Sequence, residues 1–256
     1  MLNKSCYDLV DITINKDKVI MKSKCGIEEK QINFDVEEIR RQLNAIGHIC
    51  PYTHSTYNLY FCPQLENFDL PYMNYIYYLL FFRYLRVPTF DEFLNEYVNI
   101  YCEQLPNGLL CVKNFFNNNN FAFTKEQLTG RVYRSYNSFH RELELLFQLR
   151  EYDDLDVKYN FHDDINGIDL TIIYNDIPFY IASFVGSVNS FRWKNIKNSI
   201  RHDYDGKNMI DFVAHMKDND SEKNCISYNG IYTYSPLFVA QKYFDMVKIE
   251  ENINKS

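Results

Sequence analysis

The sequence predicts an α+β protein: an aromatic-rich helical N-terminal half carrying a small hairpin, and a C-terminal mixed β-sheet flanked by helices. Three observations predict it. Apolar residues alternate at period two near the start and again in three short runs across residues 156–185. Between these stretches, apolar and aromatic residues recur at three- and four-residue spacing behind recognisable helix caps. The polar run Asn117 to Asn120, with Phe on both sides, separates the two patterns and sets a boundary near residue 122, giving segments 1–122 and 123–256.

The elements follow in order. Val10, Ile12 and Ile14, then Val19 and Met21, alternate around Asn15-Lys16-Asp17 and predict a two-stranded accessory hairpin. A helix is expected from Asp35 as N-cap, with Glu38 three residues on, Val36, Ile39, Leu43 and Ile46 on one face, and Gly47 as its stop. Two more helices are expected between residues 71 and 105, the second opened by a Thr89–Glu92 capping box and carrying Phe90, Phe93, Leu94, Tyr97 and Tyr101 on a wide face. Beyond the boundary, 124–127 opens a short helix that Gly130 interrupts, and Ser138 starts a longer one through Glu151. Extended runs at 156–161, 168–174 and 178–185 follow, the last two joined by a tight turn at Asn175-Asp176. Ser187 or Asn189 then caps a helix to Arg201, 210–214 makes a fourth strand, and Ser235-Pro236 opens a final helix.

Composition bounds the function. The chain has 256 residues, 46% hydrophobic and 24% charged, which is a folded profile. Its 22 Tyr and 20 Phe supply ample core. A net charge of −7 and a pI of 5.4 exclude coating of nucleic acid by bulk charge, so any polyanion site must be a local patch. The longest apolar stretch, residues 75–82, is far short of the roughly 20 residues that cross a bilayer. The N-terminal MLNKSCYDLVD is acidic where a signal peptide is apolar. A cytoplasmic protein with no membrane partner is expected. Seven cysteines spread without a CxxC read as reduced thiols. His48, Cys50, His54 and Cys62 form H-x-C-x3-H-x7-C, but this spacing matches no standard zinc finger, so Zn2+ is disfavoured against buried thiols and surface histidines. No GxGxxG or GxxxxGK[ST] phosphate loop is present.

The order helix–strand–strand–strand–helix–strand, with Glu142 or Glu144 on the long helix and Asp169 in Asn166-Gly167-Ile168-Asp169-Leu170, resembles the PD-(D/E)xK restriction-endonuclease-like superfamily over about residues 124–216. The resemblance implies a nuclease-like core in which the helix acid and Asp169 bind Mg2+, and the next strand supplies an acid and a lysine two residues apart. A metal so held polarises a phosphodiester and generates hydroxide. Here the third strand departs from the pattern: Phe179 to Val185 reads FYIASFV, with neither carboxylate nor lysine. Lys194 and Lys197 on the following helix are the candidates for a displaced lysine. The turn His162-Asp163-Asp164 could add an outer ligand, but turn-forming Asp is the commoner explanation of such a cluster.

A cationic face supports a phosphate-rich partner independently. Lys194, Lys197 and Arg201 recur at helical spacing, Arg192 lies beside them, and Ser187 opens the helix toward an anion. Residues 185–210 hold five Lys or Arg against two Asp. Arg131, Arg134 and Arg141, interleaved with tyrosines, extend the patch. The expectation is a nucleic-acid-binding protein, with DNA or a nucleic-acid-processing protein as partner, on a degenerate nuclease-like core. An active Mg2+-dependent endonuclease and a protein-interaction module are the alternatives.

Overall fold

The computed structural model describes residues 11–47, 62–66, 68, 70–113, 120–187, 191, 207–216, 223–253 and 255. Strands β1 (Asp11–Asn15) and β2 (Lys18–Ser23) form the expected antiparallel hairpin, with Lys16 left-handed in the turn (φ 47°). A third strand, β3 (Gly26–Gln31), extends it. Period-two reading passes over GIEEKQ because nearly every residue of this edge strand is exposed, and its charges leave no alternation.

Helix α1 (Val36–Gly47) begins where Asp35 accepts the Glu38 amide at 3.0 Å, and it buries Val36, Ile39, Leu43 and Ile46. After the short α2 (Pro63–Glu66) comes α3 (Met73–Tyr84), buried on all sides from Met73 to Phe82. Helix α4 (Phe90–Tyr101) carries both hydrogen bonds of the Thr89–Glu92 capping box. A three-stranded antiparallel sheet follows, β4 (Cys102–Gln104), β5 (Leu110–Lys113) and β6 (Asn120–Phe123).

Helix α5 (Lys125–Leu149) corrects the sequence reading. It is one helix of 25 residues, with Gly130 buried inside it and Ser138 bonded forward to Glu142 rather than capping a new start. A glycine costs a helix about 1 kcal/mol, whereas each large apolar side chain buried from Leu128 to Phe147 contributes about 1.5–3 kcal/mol. Packing therefore carries the helix through the weak point.

The C-terminal strands are β7 (Leu155–Asn160), β8 (Leu170–Tyr174), β9 (Ile177–Val185) and β10 (Asn208–Ala214), with α6 (Phe161–Ile165) between β7 and β8. Asn175 and Asp176 both have positive φ in the β8–β9 turn. A two-stranded ribbon, β11 (Cys225–Tyr228) and β12 (Ile231–Tyr234), leads into α7 (Pro236–Ile253).

The main sheet has seven strands in the order β10-β9-β8-β7-β1-β2-β3. All neighbours are antiparallel except β9 and β10, which run parallel with Ile181 opposite Ile210. The hairpin is therefore no accessory: β1 pairs with β7, setting Ile14 opposite Tyr159, and strands from before residue 122 complete the sheet that follows it. Tyr78 of α3 stacks on Tyr159 of β7 at 3.7 Å and ties that helix to the sheet, while Phe34, just ahead of α1, stacks on Phe147 of α5 at 5.4 Å.

Of the helix expected to 201, only Ser187 and Phe191 are among the described residues, and the Phe191 amide donates to the Ser187 carbonyl at 3.0 Å. Its cationic residues Arg192, Lys194, Lys197 and Arg201 lie outside the described residues, as do His48, Cys50 and His54; Cys62 is buried. The described cysteines are free thiols. Among the described residues, no helix is long and apolar enough to cross a membrane.

Candidate acidic site

Helix α5 presents Ser138, Arg141 and Glu142 on one turn. Residues three and four apart share a helix face, so the Ser138 hydroxyl donates to Glu142 Oε1 at 2.9 Å and accepts from Arg141 Nη2 at 3.2 Å. Glu142 is 5% exposed and Arg141 3%. Burial pushes the Glu142 carboxyl well above the usual carboxylate range, and the charges of Asp169 and Asp164 push it further. Arg141 and the Ser138 bond act in the opposite direction without reversing the shift.

Asp169 stands where the β8–β9 ladder ends. Its amide donates to the Ile181 carbonyl at 2.8 Å, while its Oδ2 accepts the Ser183 amide. The carboxylate thus takes a place in the ladder that a backbone carbonyl would otherwise fill. The Ser183 hydroxyl lies 3.0 Å from the Tyr234 hydroxyl, which donates to the Phe212 carbonyl. The third acid, Asp164 on α6, accepts from Tyr159 at 2.9 Å. Asn160 starts α6 by accepting the His162 and Asp163 amides, so residues 162–164 form a helical turn. Tyr78, stacked on Tyr159, has a buried hydroxyl with no hydrogen-bond partner, and burial together with Glu142, Asp164, Tyr77 and Asp169 pushes its pKa well up.

The structure thus separates the two helix acids. Glu142 neighbours Asp169, whereas Glu144, 0% exposed, pairs with Arg40 of α1 at 2.9 Å and accepts from Gln148. Burial raises the Glu144 carboxyl to about 7 against the opposing Gln148 bond and Arg40 charge. Its place is the contact between α1 and α5, and it is not brought to Asp169.

The arginines also divide. Arg141 is buried, which corrects its placement on an open phosphate-binding face; its guanidinium carbon lies 6.0 Å from the Tyr234 ring centre. Arg131 and Arg134 are partly exposed, and Arg131 bonds Ser135 at 2.8 Å. Ser187 is exposed beside Gly186, where a Cβ would come within 2.8 Å of the His215 ring; only glycine allows that approach. On β9, the residue in register beyond the Leu170–Ile181 pair on Asp169's side is Ala182, so the strand offers no second acid.

Mg2+ takes hard oxygen donors, and Glu142, Asp169 and Asp164 are of that kind. Among the described residues, no group of three or more His, Cys, Asp or Glu side chains is arranged to hold a metal ion. Sequence reasoning missed Ser138, Ser183, Tyr234 and Tyr78 as parts of this site. The Ser138–Glu142 spacing of four was a legible signal; the contributions of Tyr234 and Tyr78 come from distant segments. Comparison with protein-family models, with curated proteins and with solved structures finds no match for this chain.

Proposed function

We propose that this protein binds nucleic acid and is built on a restriction-endonuclease-like core whose hydrolytic chemistry is impaired. The observation that carries the reading is that the charge of Asp169, just ahead of β8, acts on Glu142 of α5, in a chain segment ordered α5-β7-α6-β8-β9-β10 with a parallel final pair. Impairment follows from β9, which supplies neither acid nor lysine, and from the protonated state that burial favours for Glu142. A phosphodiester transition state gains negative charge and needs cations or donors fixed around it, and such groups are few here. Contact with phosphate falls to the basic segment that holds Arg192, Lys194, Lys197 and Arg201, with Arg131 and Arg134 on α5.

The test is a titration of the full chain against DNA and RNA at two salt concentrations. Each neutralised phosphate contributes about 0.9 to the log–log salt slope, so K194A/K197A/R201A is expected to weaken binding on every sequence and reduce the slope by about 2–3. Absence of binding at low salt, or binding indifferent to salt, overturns the proposal. Mg2+-dependent cleavage that D169A abolishes replaces it with an active endonuclease. A protein-interaction role is favoured by α7, whose Leu237 and Phe244 are exposed, and it takes over if no nucleic acid binds.

A further inference from the structure

We propose that α7 pairs with α7 of a second copy of this chain, antiparallel about a two-fold axis, so that the protein dimerises through this helix.

The helix has one committed face and one open face. Val239, Met246 and Glu250 are buried against the rest of the molecule, whereas Leu237, Gln241, Phe244, Lys248 and Glu251 are exposed at alternating spacings of four and three residues. That spacing keeps a single seam of a helix turned toward a neighbouring helix. Leu237 is 82% exposed and Phe244 59%, and a shallow groove along the seam adds Ala240, Val247, Asp245 and Lys248. The Phe244 ring meets Tyr243 edge-on at 5.6 Å, and Tyr243 stacks on Tyr152 at 4.5 Å. An exposed aromatic supported in this way is ordered before a partner arrives, which lowers the entropy lost on association.

The charge pattern identifies the partner as a second copy. Asp245 reaches Lys242 only at 3.9 Å, and Lys248 makes no ion pair among the described residues. A two-fold axis crossing the seam between Met246 and Val247 sets Asp245 across from Lys248 of the second copy, and Lys248 across from its Asp245, in two equivalent ion pairs. The same register sets Gln241 across from Asn252 and brings Phe244 beside Val247. Parallel pairing would set Lys248 beside Lys248 and Glu251 beside Glu251, which like-charge repulsion opposes. One helix face makes a small interface, so association in the micromolar range is expected.

The experiment is sedimentation velocity of the full chain from about 2 to 200 μM in about 0.15 M salt, where distant charges are screened and close pairs persist. Wild type is expected to move with concentration from the 30.7 kDa of one chain toward twice that mass. F244E changes an exposed position, so it should keep the wild-type circular dichroism spectrum and stay monomeric throughout. K248D sets Asp against Asp and is expected to weaken association about 10-fold or more, and D245K/K248D restores opposite charges and should recover it. A wild type that remains monomeric overturns the proposal and leaves the face to a different partner. So does a dimer indifferent to F244E, or a charge exchange that restores nothing. The proposal stands apart from nucleic-acid binding, because F244E leaves the basic segment intact.

Discussion

His140 shows how far burial governs a titratable group in this core. Its Nδ1 lies 2.6 Å from the Tyr77 hydroxyl, and burial holds its pKa down at about 3 against an ordinary 6.5. The unfolded chain binds a proton below pH 6.5 that the folded chain refuses, so stability is complete above 6.5 and lost as pH falls toward 3. Between pH 7.5 and 4.5 the loss from this residue is expected to be about 2–3 kcal/mol, and H140Q should remove most of that pH-dependent difference in denaturant unfolding. Glu142 has the opposite sign. Its folded pKa is raised above the unfolded value, so its cost appears as pH climbs past about 4.5, where the unfolded carboxyl ionises freely. E142Q keeps an acceptor for Ser138 and is expected to raise the melting temperature by about 2–4 °C at pH 8, with a smaller gain at pH 4.5. Equal gains at both pH values would show that packing, not charge, is responsible. The sequence could not tell Glu142 from Glu144, because what separates them is Arg40, a residue of α1 that pairs with Glu144.

Caps and turns were the most legible features, since their chemistry is local. Thr124 and Gln127 exchange both capping-box bonds at the start of α5, as Thr89 and Glu92 do at α4. T124A is expected to lower stability by about 1 kcal/mol, read from the urea midpoint at unchanged m-value. In the β8–β9 turn, Asp176 sits at φ 63°, a conformation that glycine adopts without strain. D176G should stabilise by up to about 1 kcal/mol, and a loss instead would mean that the Asp side chain holds the turn. What local signals missed has a common cause. β3 lacked an apolar face to alternate, and Gly130 imitated a helix end although tertiary burial on both sides of it kept α5 continuous. Spacing among tyrosines sets Arg141 with Arg131 and Arg134 on a cationic patch, but the Tyr234 ring it faces comes from a ribbon 93 residues later, beyond the reach of local pattern.

The main sheet makes the two halves of the chain interdependent. β7 is an interior strand because β1 pairs with it, and the same N-terminal half supplies Tyr78 over Tyr159 and Phe34 over Phe147. Without those partners β7 would present an open edge, and α5 would expose the side on which Tyr136 meets Phe93 and His140 meets Tyr77. A fragment of residues 123–256 is therefore expected not to fold alone, although the sequence placed its boundary there. Circular dichroism and size-exclusion of that fragment check this: an unstructured or aggregated chain is expected, and a monomer with a cooperative melt would show that strands β7 to β12 form an independent unit. In the intact chain, circular dichroism and tyrosine fluorescence should report one coincident transition, because α5 packs against both α1 and β12 and cannot release one half while holding the other.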